Sequence, residues 1–357
     1  MSNGKPITVG GQAVIEGVMM RSPHGYAVAV RRADGTIQSD VQPHLPLGKR
    51  VPFFRFPILR GAGGLFEMMA IGMKSLEYSA QQAALDDPAE IAKLEKKAAK
   101  SGEPNLANPL GKAALVLTMI FSMGLGIFLF VVVPNLVTHF LGTVFSADGQ
   151  PLLEERDPVI YNLISGAIRV MIVVGYIYAI SFMKDVRRLF QYHGAEHKAV
   201  SAFEAKKELT VENVRPFTIF HPRCGTTFIA ITLMVAILVF SIMAHVLTLW
   251  WPAFHNLSFW QRKLMLILGH ILIMPIVAGV CFELLQLGGK FPNNPLLKML
   301  IWPGFMFQRL TVKEPDDTMI EVACESLKQA LAIREPAPAA VAVARSEEAL
   351  EGTAAAV

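Results

Sequence analysis

The chain is poor in charged residues: they make up 17% of its 357 residues, whereas hydrophobic residues make up 53%. Soluble globular domains carry about 25% charged residues, so this composition excludes an ordinary soluble domain and indicates a membrane protein. The excess of 33 Lys and Arg over 29 Asp and Glu is too small for a nucleic-acid-binding protein, in which basic residues cluster on one face. We therefore expect the lipid bilayer, and no nucleic acid, as a partner.

Cysteine is scarce as well. Cys224, Cys281 and Cys324 lie far apart in the sequence, which argues against a disulfide framework and favours a reducing compartment. The N-terminal residues contain no hydrophobic core of the signal-peptide type. We therefore expect no cleaved leader, and we assign targeting to the membrane segments.

Four apolar stretches are long enough to cross a hydrocarbon core of roughly 30 Å, which takes about 20 helical residues. They cover residues 113–133, 159–183, 226–249 and 263–285. We expect Pro134 to end the first of these spans. The sequence thus predicts a multi-pass membrane protein.

The distribution of Lys and Arg predicts the orientation of the spans. Segments 134–158 and 250–262 hold one basic residue each, whereas segment 184–225 holds eight. Cytoplasmic loops carry the excess of basic residues. Both termini and the 184–225 loop should therefore be cytoplasmic.

This topology divides the chain into four parts. They are a cytoplasmic N-terminal segment (1–112), a transmembrane region (113–285) that includes the cytoplasmic loop 184–225, a cytoplasmic C-terminal segment (286–334) and a disordered tail (335–357). We expect a mainly α membrane protein of four transmembrane helices, with the three soluble segments assembled into one small α+β cytoplasmic domain.

Local patterns predict three elements of that domain. Residues 26–32 and 36–38 should form a β-hairpin, because Asp34-Gly35 supplies the positive φ angles of a tight primed turn. Apolar residues at helical spacing predict an amphipathic helix over 59–85. Asp316 can cap a helix that runs to about Ile333.

The most specific motif is QYHGAEHK at 191–198. His193 and His197 are four residues apart and share one helix face, where they can hold one metal ion. Glu196 beside them completes the H-x-x-E-H order of the inverted zinc peptidases, in which the glutamate acts on the metal-bound water. The alternative is a set of solvated polar residues at a helix end.

A second motif in the same loop, HPRCGT at 221–226, adds His221 and Cys224 at a metal-ligand spacing. Imidazole and thiolate ligands favour zinc, while iron or manganese stays open. Four protein ligands would make a closed structural site, whereas three ligands and a water would leave a position for catalysis. Glu196 favours catalysis, since a closed site needs no base.

The glycine-rich stretch GGQAVIEGVMMR at 10–21 sets polar residues among apolar neighbours. Glu16 is a candidate further metal ligand or base, and Arg21 is a candidate anion-binding residue. The alternative is a tightly packed loop or short strand with its own ion pair.

Together with Pro303-Gly304, QRLT at 308–311, Glu314-Pro315 and IEVA at 320–323, these motifs resemble those of the bacterial YqhQ-like membrane proteins over about residues 8 to 332. The resemblance implies a multi-span inner-membrane protein of bacteria, from a family of unknown function labelled as metal-dependent enzymes. The motif positions that correspond are Gln12, Glu16, Arg21, His193, Glu196, His197, His221 and Cys224.

We therefore expect a membrane-anchored, zinc-dependent hydrolase whose site lies at the cytoplasmic membrane face. A peptide, a lipid headgroup or a small amphiphile fits as substrate, and a homo-oligomer stays open. The rival hypothesis is a non-catalytic scaffold or regulator with a structural metal. A transporter is less favoured, because four spans with few polar residues offer no polar path.

Overall fold

The computed structural model describes residues 9–86, 112–144, 157–291 and 293–334. Most of the linker expected between Asp86 and Pro109, and all of the tail 335–357 expected to be disordered, lie outside the described residues. The strands are β1 (Gly10–Val14), β2 (Gly17–Ser22), β3 (Gly25–Arg31) and β4 (Ile37–Pro43). The helices of the described part are α1 (Leu47–Arg50), α2 (Leu59–Ala84), α3 (Lys112–Ile127), α4 (Val133–Val144), α5 (Pro158–Ile180), α6 (Lys184–Glu204), α7 (Val211–Val214), α8 (Gly225–Trp250), α9 (Phe259–Lys290), α10 (Pro295–Thr311) and α11 (Asp317–Ala332).

The four strands form an antiparallel sheet in the order β1-β2-β3-β4. Successive residues of a strand point to opposite faces, and both faces of this sheet are apolar. Val18, Met20, Ala27 and Ala29 share a core with residues of α6 and α11. The opposite face, which includes Met19 and its neighbours on β3, packs against α2. The sheet is therefore the middle layer between two helical layers.

The predicted hairpin is present, but its turn differs from the expectation. Arg32 N–H donates to Thr36 O at 2.9 Å, and this pair closes a three-residue loop, 33–35. Only Gly35 of the loop has a positive φ, 86°. The turn is therefore the three-residue type that ends on a left-handed glycine, and the two-residue primed turn was wrong.

Among the described residues, four helical segments are long and apolar enough to cross a membrane: Ile120–Val144, Val159–Ile180, Gly225–Met243 and Leu264–Lys290. The first continues beyond Pro134, so the expected stop at this proline was wrong. A π-turn (Phe128–Val132) precedes it, in which Val133 N–H bonds to Phe128 O. Such a widened turn lets a helix continue past a proline with a local adjustment.

Side-chain caps mark the beginnings of the two C-terminal helices, α10 and α11. Asn294 accepts hydrogen bonds from Leu296 N and Leu297 N at 3.0 and 3.3 Å and begins α10. Asp316 accepts from Met319 N at 3.0 Å and begins α11, as the sequence predicts. These caps satisfy N–H groups that have no partner within a helix.

Candidate metal centre

Helix α6 carries the H-x-x-E-H motif and lies against the connection between α10 and α11. A Cβ added at Gly194 would lie 2.1 Å from the Lys313 carbonyl oxygen. Lys313 N–H in turn donates to Phe190 O at 2.9 Å. The glycine between the two motif histidines therefore allows the close approach that brings α6 to this connection.

Cys224 reaches the histidines from the start of α8. It is the N-cap residue of α8, and its Sγ accepts from Thr226 N at 3.4 Å. His193 Nε2 lies 3.2 Å from Cys224 Sγ. One ligand atom each from His193, His197 and Cys224 all lie within 4.8 Å of one another. Two motifs about 30 residues apart in sequence thus form one group.

Both histidines are oriented by backbone carbonyls. His193 Nδ1 lies 3.0 Å from Thr311 O, and His197 Nδ1 lies 2.5 Å from Ile219 O. A carbonyl only accepts a hydrogen bond, so each Nδ1 carries the proton and donates it. Metal-ligating histidines are held in this way, with Nε2 left for the ion.

The surroundings of the His197 imidazole suit a bound metal ion. Its side chain is 2% exposed, and its Nε2 is buried without a hydrogen-bond partner in the described part of the chain. An unpaired buried polar atom costs about 1–3 kcal/mol. Together with the second imidazole and the sulfur, this nitrogen forms a donor set that suits zinc.

Burial and neighbouring charges shift the pKa values of the two imidazoles in opposite directions. Burial lowers the pKa of His193, but the hydrogen bond and charge of Cys224, together with Glu196, raise it to about 9. Burial, followed by the charges of His193 and His221, lowers the pKa of His197 well below its ordinary value. In the absence of metal, His193 is therefore the protonated partner of the sulfur, and His197 is neutral and ready to bind.

Glu196 lies beside the Nε2 atoms of both imidazoles. Its Oε2 is 3.8 Å from His193 Nε2 and 4.0 Å from His197 Nε2. Burial raises the pKa of this carboxyl group, whereas the charges of His193 and His221 and a hydrogen bond from the Gly11 backbone lower it. Gly11 packs so closely that an added Cβ would lie 2.8 Å from Glu196 Cγ. Strand β1 therefore covers the carboxylate.

His221, predicted as a fourth ligand, lies behind His197. Their ring centroids are 5.8 Å apart, and His221 Nε2 lies 3.5 Å from Glu204 Oε2. Burial lowers the pKa of His221. Its nitrogens are not part of the group of three ligand atoms, so its position is that of a neighbour which supports the site.

Glu16 and Arg21 form ion pairs with residues of α6 and α2. Glu16, at the β1–β2 turn with a φ of 52°, accepts from Arg188 Nε at 2.6 Å. Tyr192 donates to it at 3.4 Å. Arg21 donates to Glu67 of α2 at 2.7 Å. These contacts attach the first hairpin to α6 and α2, and none of them is with His193, His197 or Cys224.

With this geometry in place, comparison with known proteins decides the family. Residues 56–333 match the family described as "Protein of unknown function (DUF1385)". The chain belongs to this family. It is also 34% identical over 332 residues to the "Uncharacterized protein YqhQ" of Bacillus subtilis (strain 168), covering 91% of this chain and 93% of that protein. The resemblance to YqhQ-like proteins is thereby confirmed. No solved structure matches the chain.

Sequence reasoning missed two residues that support the site. Gln308 is fully buried, and it accepts from His221 N at 3.0 Å and donates to His221 O at 2.7 Å. It also donates to Thr227 Oγ1 at 2.7 Å. Thr311 supplies the carbonyl that orients His193. Both belong to the QRLT motif at 308–311. A polar residue in an otherwise apolar helix is the sequence signal that could have identified them, because such a residue needs a hydrogen-bond partner when it is buried.

Proposed function

We propose that this chain is a multi-pass protein of the bacterial inner membrane, with both termini cytoplasmic, that holds zinc with His193, His197 and Cys224 and acts as a hydrolase. The observation that supports the metal is the buried Nε2 of His197, which has no hydrogen-bond partner among the described residues and lies within 4.8 Å of two other ligand atoms. Two nitrogens and one sulfur are three ligands, which leaves a fourth position for catalysis.

The residues divide the chemistry between them. Zinc, when bound, lowers the pKa of a water to about 7 and polarises the bond to be cleaved. Glu196 Oε2, about 4 Å from both imidazole nitrogens, accepts the proton of the attacking water and delivers it to the leaving group. Thr311 and Ile219 hold the two imidazoles in the tautomer that binds metal.

The location of the site restricts the substrate. Cys224 is the N-cap of a helix that is long and apolar enough to cross a membrane, so the site lies at the end of a span. A substrate must reach this level of the membrane. A lipid headgroup, a small amphiphile or a peptide segment next to the membrane meets that requirement.

The experiment compares zinc content and hydrolysis in three proteins reconstituted into vesicles. Panels of fluorogenic peptides, phospholipids and short acyl esters serve as substrates. We expect wild type to hold zinc and cleave one class, and Glu196→Gln to keep zinc and lose cleavage. Asp185→Asn, a change of an exposed carboxylate at the other end of the same helix, is the matched control and keeps both.

Three results would contradict the proposal. Full cleavage by Glu196→Gln would show that Glu196 is not the base. Absence of zinc in wild type purified without chelators would show that the site does not hold zinc. Bound zinc with no cleavage of any class, combined with unfolding on chelation, supports instead a structural metal in a scaffold or regulator.

A cysteine nucleophile is the second candidate, favoured by the 3.2 Å contact between Cys224 Sγ and His193 Nε2. The sulfur would attack a carbonyl and expel the leaving group, to which His193 would pass the thiol proton. Water would then hydrolyse the acyl–cysteine bond and restore the thiol. Cleavage by zinc-free protein that iodoacetamide abolishes would select this candidate over the zinc hydrolase.

A further inference from the structure

The beginning of α2 lies at the level of the fourth span. A Cβ added at Gly279 would lie 2.4 Å from Ile58 O, and one added at Gly61 would lie 2.8 Å from Phe282 Cβ. Arg60 Nε donates to Glu283 Oε1 at 2.7 Å. Gly279 and its neighbours in these contacts belong to the segment Leu264–Lys290, which is long and apolar enough to cross a membrane. The first turn of α2 therefore lies beside the second half of this span, 7 to 11 residues before its last residue, Lys290.

The second half of α2 lies against the sheet. Ile71, Leu76 and Tyr78 pack on the apolar face formed by residues of β1, β2 and β3. Near its end, Gln82 accepts a hydrogen bond from Arg32 Nη1 at 2.9 Å. One helix therefore runs from the side of a membrane span to the sheet.

The exposed side of α2 changes from apolar to charged residues along the helix. Phe66, Met69 and Met73 follow one another at helical spacing and are 59 to 65% exposed. Lys74 and Glu77 follow on the exposed side. Phe53 and Phe56, just before the helix, are 57 and 62% exposed. Large apolar side chains that form a continuous exposed patch mark a site of interaction.

We propose that the apolar stripe of Phe53, Phe56, Phe66, Met69 and Met73 lies in the lipid bilayer, in contact with acyl chains at the interface. It continues the lipid-facing surface of the fourth span, because α2 is packed on that span at its first turn. The exposed Arg55 and Lys74 lie at headgroup level, where cations are stabilised by anionic lipids. The proposal rests on the membrane assignment of the proposed function, and it places the stripe on the cytoplasmic side.

Anchoring the first half of α2 in the bilayer has a consequence for the position of the site. Helix α2 contacts the same hairpin whose strand β1 covers Glu196, because Gly72 approaches the Gln12 side chain so closely that an added Cβ would lie 2.3 Å from Oε1. Fixing α2 at the interface therefore fixes the height of the sheet and of the site above the bilayer. Amphipathic helices that lie in the interface are held by their buried apolar area and by charges.

The test uses nitroxide labels on single cysteines introduced into the full-length chain, reconstituted in phosphatidylcholine–phosphatidylglycerol vesicles. Labels replace Phe66 and Met69 in the stripe, and Glu77 and Ala80 on the same exposed side as matched controls. The native cysteines are buried and are retained, with unaltered protein measured for background labelling. We expect oxygen to relax the labels at 66 and 69 more than an aqueous nickel complex does, and the reverse at 77 and 80.

Two outcomes would overturn the proposal. Equal access of the nickel complex to all four labels places the stripe in water. Exclusion of both reagents from positions 66 and 69 shows a protein surface over the stripe, such as a second copy of the chain. Zinc content measured on the same labelled proteins reports the metal centre separately, so failure of the lipid proposal and failure of the proposed function are distinguishable.

Discussion

Replacing Gly194 with alanine is a sharp test of how α6 is positioned. The added Cβ would lie 2.1 Å from the Lys313 carbonyl oxygen, whereas real Cβ contacts essentially never fall under 3.0 Å. The obstacle is a backbone atom, so α6 and the connection to α11 must separate by about 0.9 Å. Overpacking of this kind costs about 1–3 kcal/mol.

Two smaller effects nearly offset each other. Alanine is better than glycine within a helix by about 1 kcal/mol. Weakening the 2.9 Å hydrogen bond from Lys313 N–H to Phe190 O costs about 1 kcal/mol. The free energy of unfolding of Gly194→Ala should therefore fall by about 1–3 kcal/mol, close to the overpacking term.

The same separation reaches the metal ligand next to Gly194. His193 Nδ1 is 3.0 Å from Thr311 O, two residues before Lys313, and a shift of this size takes the pair beyond hydrogen-bond distance. Loss of such a support typically lowers metal affinity by about 10–100-fold. Competition with a chromophoric chelator measures the zinc affinity, and denaturation in detergent measures the stability.

The control is Gly64→Ala on α2, where nothing lies within 4 Å of the added Cβ. This change should stabilise the protein by about 0.5–1 kcal/mol and leave zinc affinity unchanged. Wild-type stability and zinc affinity in Gly194→Ala would refute the close approach of α6 to the connection between α10 and α11.

Three further predictions concern the surroundings of the site. Gln308→Leu leaves the His221 backbone and Thr227 unpaired in a buried place, so unfolding measurements should give a loss of about 1–3 kcal/mol; a loss no larger than that of Thr227→Ala would contradict this network. In zinc-free protein the pKa of His193 is raised from 6.5 to about 9, so its stabilising contribution is complete below pH 6.5 and is lost as the pH rises through 9. The corresponding slope of stability with pH should be absent in His193→Gln, and an equal slope in both proteins would count against it. Glu16→Gln breaks a partly exposed ion pair, so it should change stability by less than about 1 kcal/mol and leave zinc content unchanged, whereas loss of zinc would identify Glu16 as a ligand.

The apolar spans and the capped helices follow from local patterns. The sequence predicts helices over 59–85 and from Asp316 to about Ile333, and the structure has them at Leu59–Ala84 and Asp317–Ala332. Length, hydropathy and capping residues are local properties that act within one element. They were sufficient for these elements.

The first hairpin was harder to predict. The sequence allows a loop or a short strand over residues 10–21, and the structure has two paired strands joined at Ile15-Glu16. Glycine or asparagine usually marks such a turn, yet here Glu16 takes the positive φ of 52°. Its ion pair with Arg188 is a contact between distant segments, which no local pattern reveals.

The candidate site was predicted in its residue types but only partly in its geometry. The spacing of His193 and His197 on a helix places them on one face, and the H-x-x-C motif adds Cys224. The sequence does not say which of His221 and Cys224 faces the pair. That choice depends on Gln308 of α10, which binds the His221 backbone from 87 residues away in the chain.

X-ray absorption at the zinc edge, on protein purified without chelators, tests the central claim most directly. The account predicts near-stoichiometric zinc with one sulfur at about 2.3 Å and nitrogen or oxygen ligands at about 2.0–2.1 Å, two of them imidazoles. The sulfur should disappear from the spectrum of Cys224→Ser. Absence of zinc, or a first shell without sulfur in the unaltered protein, would contradict a centre built from His193, His197 and Cys224.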